Sequence, residues 1–211
     1  THQIRLRTEF VGAALVMDPA IGQKKDSDFC SFAVVGMTDK GLIHVLDNFM
    51  ERGMTPREQV DKFFELSGLW RPTKHGIEAV AYQRSLIFLV REEMFRKSKT
   101  MGQGAYFHIE PILHGNTAKL PRVEGVLSPR YIAGYVTHQR HFPELEEQLI
   151  NWPNSKLDGP DSVAMAVTLL DPYAAFAIPV SDDPMLANED PLEGNSYRSL
   201  DYELGEWRSA P

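Results

Sequence analysis

The stretch VGAALVMD (residues 11–18), with the loop PAIGQKKDSD and the run FCSFAVVGM (residues 29–37) behind it, decides the fold of this chain. The first segment is continuously apolar and ends at an acid, which is typical of a buried central strand. GLIHVLDNFM (residues 41–50) follows after the turn TDKG, so the second and third runs predict a hairpin. Together the three segments predict an antiparallel meander.

Strands and helices alternate after the meander. TPRE (residues 55–58) has the pattern of a capping box and predicts a helix that runs to Gly68. GIEAVAY (residues 76–82) predicts a short buried strand, Ser85 to Lys99 a long helix, and AYFHIEPIL (residues 105–113) a fifth strand. The order β-β-β-α-β-α-β predicts an α/β protein with a mixed five-stranded sheet flanked by helices.

The second half of the chain is less regular. Residues 118–130, AKLPRVEGVLSPR, form a basic segment broken by prolines, and residues 131–142, YIAGYVTHQRHF, predict a short hairpin. FPELEEQLINW predicts a helix with Pro143 near its start. DSVAMAVTLL predicts an apolar helix that opens at Asp161.

Length and composition set the expected domain organisation. At 211 residues the chain supports one well-buried core, which we assign to residues 1–172. Residues 173–211 are acidic and contain several prolines and glycines, so we expect a tail there rather than a second domain. The single cysteine, Cys30, excludes an internal disulfide, and its apolar neighbours predict core packing. No apolar run approaches the roughly 20 residues of a membrane span.

The overall charge limits how this chain meets nucleic acid. Its formal net charge is −7, whereas a protein that grips nucleic acid without sequence preference is usually basic. A DNA-binding role therefore requires a local basic face. No GxxxxGK[ST] loop is present, which excludes an ATPase of that kind. The chain begins at Thr1 and not at methionine, which indicates processing or, more simply, excision from a longer polypeptide.

Three acids stand where carboxylates are costly. Asp18 closes the first strand, Glu78 lies within the short strand GIEAV, and Asp161 opens the last helix. Taken singly, each has a plainer interpretation: a strand-end turn, an outward-facing edge residue and a helix N-cap. If they converge, their carboxylates repel one another unless a cation relieves them. Oxygen ligands of this kind suit Mg²⁺ or Mn²⁺, and two such ions hydrolyse phosphodiesters.

The order of four segments over about residues 14–170 resembles the C-terminal nuclease domain of the large terminase subunit of tailed bacteriophages, which has a ribonuclease-H-like fold. The segments are VMDPAIGQKKDSDFCSFAVVG, GIEAVAYQ, NTAKLPRVEGVLSPRYIAGYV and FPELEEQLINWPNSKLDGPDSVAMA. The first matches the family's Asp-Pro-x-x-Gly strand end, and the third its Lys-x-x-Arg segment. The last departs from the family's frequent pair of adjacent aspartates, because this chain has Asp161-Ser162, with Asp158 three residues earlier.

The resemblance implies a role for each matching residue. The catalytic metal ligands would be Asp18, Glu78 and Asp161, with Asp158 as a fourth metal ligand. Asp28 is a weaker candidate that would orient a metal-bound water, with a plain strand-start acid as the alternative. DNA phosphates would be contacted by Lys119 and Arg122; a solvated basic loop is the alternative for this segment. Independently of the resemblance, the need for a local basic strip at net charge −7 adds Arg130 and Arg140 as candidates.

The resemblance also implies a function, namely two-metal cleavage of concatemeric viral double-stranded DNA during genome packaging, with Mg²⁺ or Mn²⁺. Expected partners are double-stranded DNA, a packaging ATPase domain of the same parent chain, the portal and the small terminase subunit, with no membrane. The expected location is the host cytoplasm and, transiently, the procapsid portal. Two alternatives remain: another ribonuclease-H-like nuclease, such as a junction resolvase or transposase, and a non-catalytic docking module of the packaging motor.

Overall fold

A six-stranded mixed sheet organises the part of the chain that this computed structural model describes, namely residues 10–20, 28–79, 83–101, 106–113 and 118–171. The predicted tail over residues 173–211 lies outside the described residues. Within the described ranges, no helix is both long enough and apolar enough to cross a bilayer.

The strands lie in the order β5-β4-β1-β2-β3-β6. Antiparallel pairing joins β1 to β2 and β2 to β3, and parallel pairing joins β4 to β1, β5 to β4 and β6 to β3. The predicted α/β class with its antiparallel meander is confirmed, but the sheet has six strands and not five. Their bounds are β1 (Phe10–Asp18), β2 (Phe29–Thr38), β3 (Ile43–Arg52), β4 (Lys74–Glu78), β5 (Ile109–Ile112) and β6 (Val136–His138).

The sixth strand replaces the hairpin predicted over residues 131–142, which is wrong. Gly134 turns the chain with a φ of 71° after the preceding helix, and β6 then pairs in parallel with β3. The Ile43 N–H donates to the Tyr135 carbonyl (2.9 Å) and locks the start of this pairing. A three-residue edge strand is too short to produce an alternating pattern, so the sequence does not reveal it.

Five helices flank the sheet within the described ranges: α1 (Pro56–Trp70), α2 (Gln83–Met101), α3 (Lys119–Ile132), α4 (Pro143–Ile150) and α5 (Asp158–Leu170). The capping box at the start of α1 is confirmed, because the Thr55 side chain accepts from the Glu58 N–H while the Thr55 N–H donates to the Glu58 carboxylate. The helix continues two residues beyond the predicted end at Gly68.

Helix α3 corrects the interpretation of residues 118–130 as a proline-broken segment. Pro121 lies in the first turn, where backbone N–H groups have no partner inside a helix, so the missing N–H costs little. Pro129 lies near the end of the helix and leaves most of it undisturbed. Three apolar side chains at helical spacing bury the inner face: Val123, Val126 and Leu127.

Helix α5 begins at Asp158, three residues before the predicted start, and is buried along almost its whole length. It packs against β1, β2 and β3 on one face of the sheet. Gly76 in β4 permits this close approach, because a Cβ there would lie 3.0 Å from Leu169 Cδ2 and 2.7 Å from Ile112 Cδ1.

Alternation along β1 divides the core into two layers. Ala14 and Val16 face α3, α4 and α5, whereas Leu15 and Met17 face α1 and α2. Asp18 is the next even-numbered position and therefore faces the same side as α5. Cys30 is buried among the residues of the second layer, which confirms its predicted role in core packing.

Helices α1 and α2 are joined by ion pairs around one buried carboxylate. Glu93 on α2 is 3% exposed and accepts from Arg96 of the same helix (Nη2–Oε1, 2.6 Å) and from Arg57 of α1 (Nη1–Oε2, 3.0 Å). These hydrogen bonds, with that from Arg96 the stronger, lower the pKa of Glu93 to about 2.

Glu93→Gln is expected to lower the free energy of unfolding at pH 7 by about 1–2 kcal/mol. The effect is small for a buried carboxylate because both arginines are more than half exposed, so solvent screens their charges. A lowered pKa gives stability above the ordinary glutamate pKa that disappears as pH falls through the folded value. The difference from wild type should therefore be full at pH 6–7 and shrink from about pH 4.5 towards pH 2. Urea unfolding over this range measures it, with the exposed Glu92→Gln as control; equal losses in both variants would contradict the assignment.

Candidate metal centre

Two acids meet where β1 and β4 end. These strands are parallel neighbours with Met17 opposite Ile77, so Asp18 and Glu78 leave the sheet side by side at its carboxyl edge. Both side chains are almost completely buried, and a hydrogen bond joins the two carboxyl groups. Burial, and then the hydrogen bond to Glu78, raise the pKa of Asp18 well above its ordinary value, although the Lys119 ammonium acts in the opposite direction.

The first turn of α5 brings two further acids, Asp158 and Asp161, to the same edge. The Gly159 N–H donates to the Gln148 side chain from α4 (2.9 Å), which takes the place of a capping residue. The Ser162 hydroxyl lies 2.8 Å from that of Ser31, and both are fully buried. Because Ser31 pairs with Asp18 across β1 and β2, this contact fixes the start of α5 beside the strand end.

Lys119 inserts a positive charge among these acids. Its ammonium donates to Asp18 Oδ2 (3.0 Å) and Asp158 Oδ1 (3.1 Å) and lies 3.5 Å from Asp161 Oδ2. Burial opposes the charged form of this lysine, but the carboxylates more than offset burial and raise its pKa above the ordinary value. The ammonium therefore stands as a cation shared by three carboxylates.

Arg122 forms a close ion pair with Asp161. Its Nη2 donates to Asp161 Oδ1 (2.7 Å) and Oδ2 (2.6 Å), and its Nε donates to Oδ1 (2.9 Å). Both oxygens of the fully buried Asp161 are thus engaged by a guanidinium that is itself mostly buried. Asp158, by contrast, accepts from Lys119 and, at 3.4 Å, from the Phe29 N–H.

We call Asp18, Glu78, Asp158 and Asp161 the acid cluster. The sequence-based candidates among the acids are therefore brought together, with the exception of Asp28. Asp28 is exposed and pairs with Lys156 (2.7 Å), whose hydrogen bond lowers the pKa of this carboxyl. This environment matches the alternative of a strand-start acid. The metal-ligand and phosphate-binding roles that the resemblance implies stay predictions.

Three polar groups that position the cluster have no signal in the sequence: Ser31, Gln148 and Ser162. A serine in an apolar strand and a glutamine on a short helix carry no distinctive pattern. The contacts of Lys119 and Arg122 with acids are also not evident from the sequence. Their i, i+3 spacing puts both on one helix face, a signal that is lost unless residues 119–132 are recognised as helical.

The donor chemistry of the acid cluster fits a hard divalent cation. Carboxylate oxygens are the ligands that Mg²⁺ and Mn²⁺ prefer, and the Lys119 ammonium already occupies a cation position between Asp18 and Asp158. Within the described ranges, however, no group of three or more His, Cys, Asp or Glu side chains already has the arrangement of a metal site. A metal bound by Asp18 and Asp158 would need the oxygens that the ammonium now contacts.

Comparison with solved structures identifies the fold. The human cytomegalovirus terminase nuclease domain aligns with a TM-score of 0.52 and 19% identity, over 77% of this chain and 85% of that one. Yeast mitochondrial Holliday junction resolvase Ydc2 aligns with a TM-score of 0.47 and 15% identity, over 83% and 89% of the two chains. T. thermophilus RuvC in complex with a Holliday junction substrate gives 0.39 and 12%, over 74% and 91%.

The fold is ribonuclease-H-like, as expected, and this assignment rests on the likeness to the terminase nuclease domain. The TM-scores of the two resolvases are below 0.5, so the fold assignment does not depend on them. No protein-family model and no curated protein sequence matches the chain.

Arg122→Met is expected to lower the free energy of unfolding by about 3–5 kcal/mol, because the buried Asp161 carboxylate loses its main counter-charge. Adding Asp161→Asn to this variant removes the uncompensated charge and should restore part of the loss. Urea unfolding of wild type, both single variants and the double variant measures the coupling. An Arg122→Met variant within about 0.5 kcal/mol of wild type would contradict the pairing.

Proposed function

We propose that this protein is a metal-dependent nuclease that hydrolyses phosphodiester bonds of double-stranded DNA, using two Mg²⁺ or Mn²⁺ ions held by carboxylates of the acid cluster. The observation that carries the proposal is the convergence of four nearly buried acids at the carboxyl edge of β1 and β4, three of them in contact with the Lys119 ammonium. The ribonuclease-H-like fold supports it, because that fold is shared with a terminase nuclease domain.

The charge of the cluster supports a role for metal ions. Four buried acids face two cationic side chains, the Lys119 ammonium and the Arg122 guanidinium, so the site favours further positive charge. When bound, such ions activate water and neutralise the charge that develops on a phosphodiester. The protein contributes fixed ligands, because Asp18 and Glu78 end buried strands and Asp158 lies in a docked first helical turn.

The contacts of the two aspartates on α5 favour a division of roles that differs from the sequence prediction. Both oxygens of Asp161 are engaged by Arg122. Asp158 contacts the more exposed Lys119 and lies beside Asp18 around that ammonium. We propose Asp18, Glu78 and Asp158 as direct ligands, with Asp161 positioning Arg122 and helix α3.

Few of the candidate basic residues are exposed enough to contact DNA. Arg130, one of the candidates, is 2% exposed and donates to the Val126 carbonyl, so it does not contribute to a DNA-binding surface. Arg140 is 63% exposed, with its guanidinium held by Asp47 (2.9 Å). Lys119 is 41% exposed and reaches solvent from the acid cluster. We propose Lys119 and Arg140 as phosphate contacts, with weak DNA binding by this chain alone.

The biological setting that we propose is viral genome packaging. The ordered motifs of the terminase nuclease family support it, as does the shared fold. The substrate would then be concatemeric viral DNA, and a packaging ATPase domain of the same parent chain would hold DNA near the cluster. The portal and the small terminase subunit would be further partners, in the host cytoplasm and transiently at the procapsid.

Purified protein is expected to nick supercoiled plasmid with Mn²⁺ or Mg²⁺ and to be inactive with EDTA. Asp18→Asn, Glu78→Gln and Asp158→Asn should each reduce the rate roughly a hundredfold or more, because each removes charge from the centre that binds the ions. Asp39→Asn, in an exposed turn, is the matched control and should retain wild-type activity.

Three outcomes of the same assay decide between the candidate functions. Metal-dependent nicking that is lost in the three cluster variants supports the nuclease. Cleavage confined to a synthetic four-way junction, with intact linear and supercoiled duplex, would favour a resolvase over a terminase. Unchanged activity in Asp158→Asn and Glu78→Gln, or no cleavage of either substrate with either metal, would contradict the proposed centre.

A further inference from the structure

We propose that Lys119 is an internal counter-cation that competes with the metal for the acid cluster and, once displaced, binds a DNA phosphate, so that metal and DNA bind cooperatively. The inference rests on the proposed function and adds a coupling between its two ligands. It is carried by the position of the lysine and by the contrast with its neighbour Arg122.

Competition follows from the oxygens that the ammonium engages. Lys119 Nζ lies 3.0 Å from Asp18 Oδ2 and 3.1 Å from Asp158 Oδ1. A divalent cation bound by these two residues needs the same oxygens, and the two positive charges would repel each other at contact distance. The ammonium and the metal therefore exclude one another from this position.

The Lys119 side chain can move away from the acid cluster, whereas the Arg122 side chain is held in place. The lysine side chain is 41% exposed and stands at the first position of α3, so rotation about its four-carbon stem carries the ammonium into solvent without moving the helix. Arg122 is 13% exposed and donates to Asp161 from both Nε and Nη2 of its guanidinium. A metal that enters the cluster therefore displaces the lysine and leaves the Arg122–Asp161 pair in place.

The position of Lys119 at the start of α3 also favours transfer of its ammonium from the acid cluster to another anion. A lysine in the first turn meets the positive end of the helix dipole, so the acid cluster is what stabilises its present position. Once the metal replaces it there, the most favourable partner for a cation next to a nuclease centre is a phosphate of the bound duplex. Each ligand then promotes the other, because metal frees the lysine and DNA holds it away from the carboxylates.

The first test is metal affinity in the absence of DNA. Ca²⁺, which binds oxygen ligands as Mg²⁺ does, is titrated calorimetrically at pH 7.5 into wild type, Lys119→Met and Lys156→Met. Lys119→Met should bind Ca²⁺ roughly tenfold more tightly than wild type, a typical size for such coupling. Lys156 is the matched control, because it is similarly exposed (46%) and paired with an acid outside the cluster, Asp28; its variant should bind like wild type.

The second test measures the coupling to DNA. Binding of a short duplex is followed by fluorescence anisotropy with and without saturating Ca²⁺. In wild type and Lys156→Met, Ca²⁺ should strengthen DNA binding severalfold. In Lys119→Met this enhancement should be markedly smaller, because no lysine is released. Circular dichroism verifies folding, and Lys119→Gln repeats both measurements should the methionine variant prove unstable.

The outcomes separate this inference from the proposed function. Equal or weaker Ca²⁺ affinity in both Lys119 variants, or an undiminished Ca²⁺ enhancement of DNA binding, overturns the coupling while the metal site stands. Absence of Ca²⁺ binding in wild type and in every variant overturns the metal centre and the coupling together. Tighter Ca²⁺ binding in Lys119→Met with a reduced enhancement supports both.

Discussion

The need to neutralise buried carboxylates at the edge of the sheet governs the structure around them. Asp18 and Glu78 emerge side by side because β1 and β4 are parallel, and α5 adds Asp158 and Asp161. Such a group repels itself in a poorly hydrated site unless cations are present. Helix α3 supplies them, one as a tight bidentate pair and one as an ammonium shared between acids. The packing of α3 against the core therefore places both cations at the acid cluster.

This arrangement gives the two basic residues different tasks. The ion pair between Arg122 and Asp161 is buried, and Arg122 donates to both carboxylate oxygens of Asp161. The pair therefore holds α3 and α5 together. Lys119 is partly exposed to solvent and contacts Asp18, Asp158 and Asp161, so a metal ion can replace its ammonium there. An acidic protein of net charge −7 can then attract DNA locally, because the cation-filled cluster is the place where the negative charge is compensated.

Much of this arrangement was predictable from the sequence where patterns were strong. The apolar run that ends at Asp18 predicts the central strand, the capping box predicts the start of α1, and the apolar surroundings of the acids mark them as candidates. Helix α3 is hard to predict because its two prolines suggest a broken segment, although Pro121 lies in the first turn, where a helix tolerates proline. Strand β6 was too short to show a period. The different roles proposed for Asp158 and Asp161 depend on which of the two acids pairs with Arg122. Only the three-dimensional packing determines that pairing.

The most direct measurement of the central claim is a crystal structure of the protein with Mn²⁺, analysed by anomalous scattering. The account predicts Mn²⁺ peaks in contact with Asp18, Glu78 and Asp158, with the Lys119 ammonium displaced and the Arg122–Asp161 pair intact. Mn²⁺ bound elsewhere, or an acid cluster that keeps Lys119 in place at saturating Mn²⁺, would contradict it.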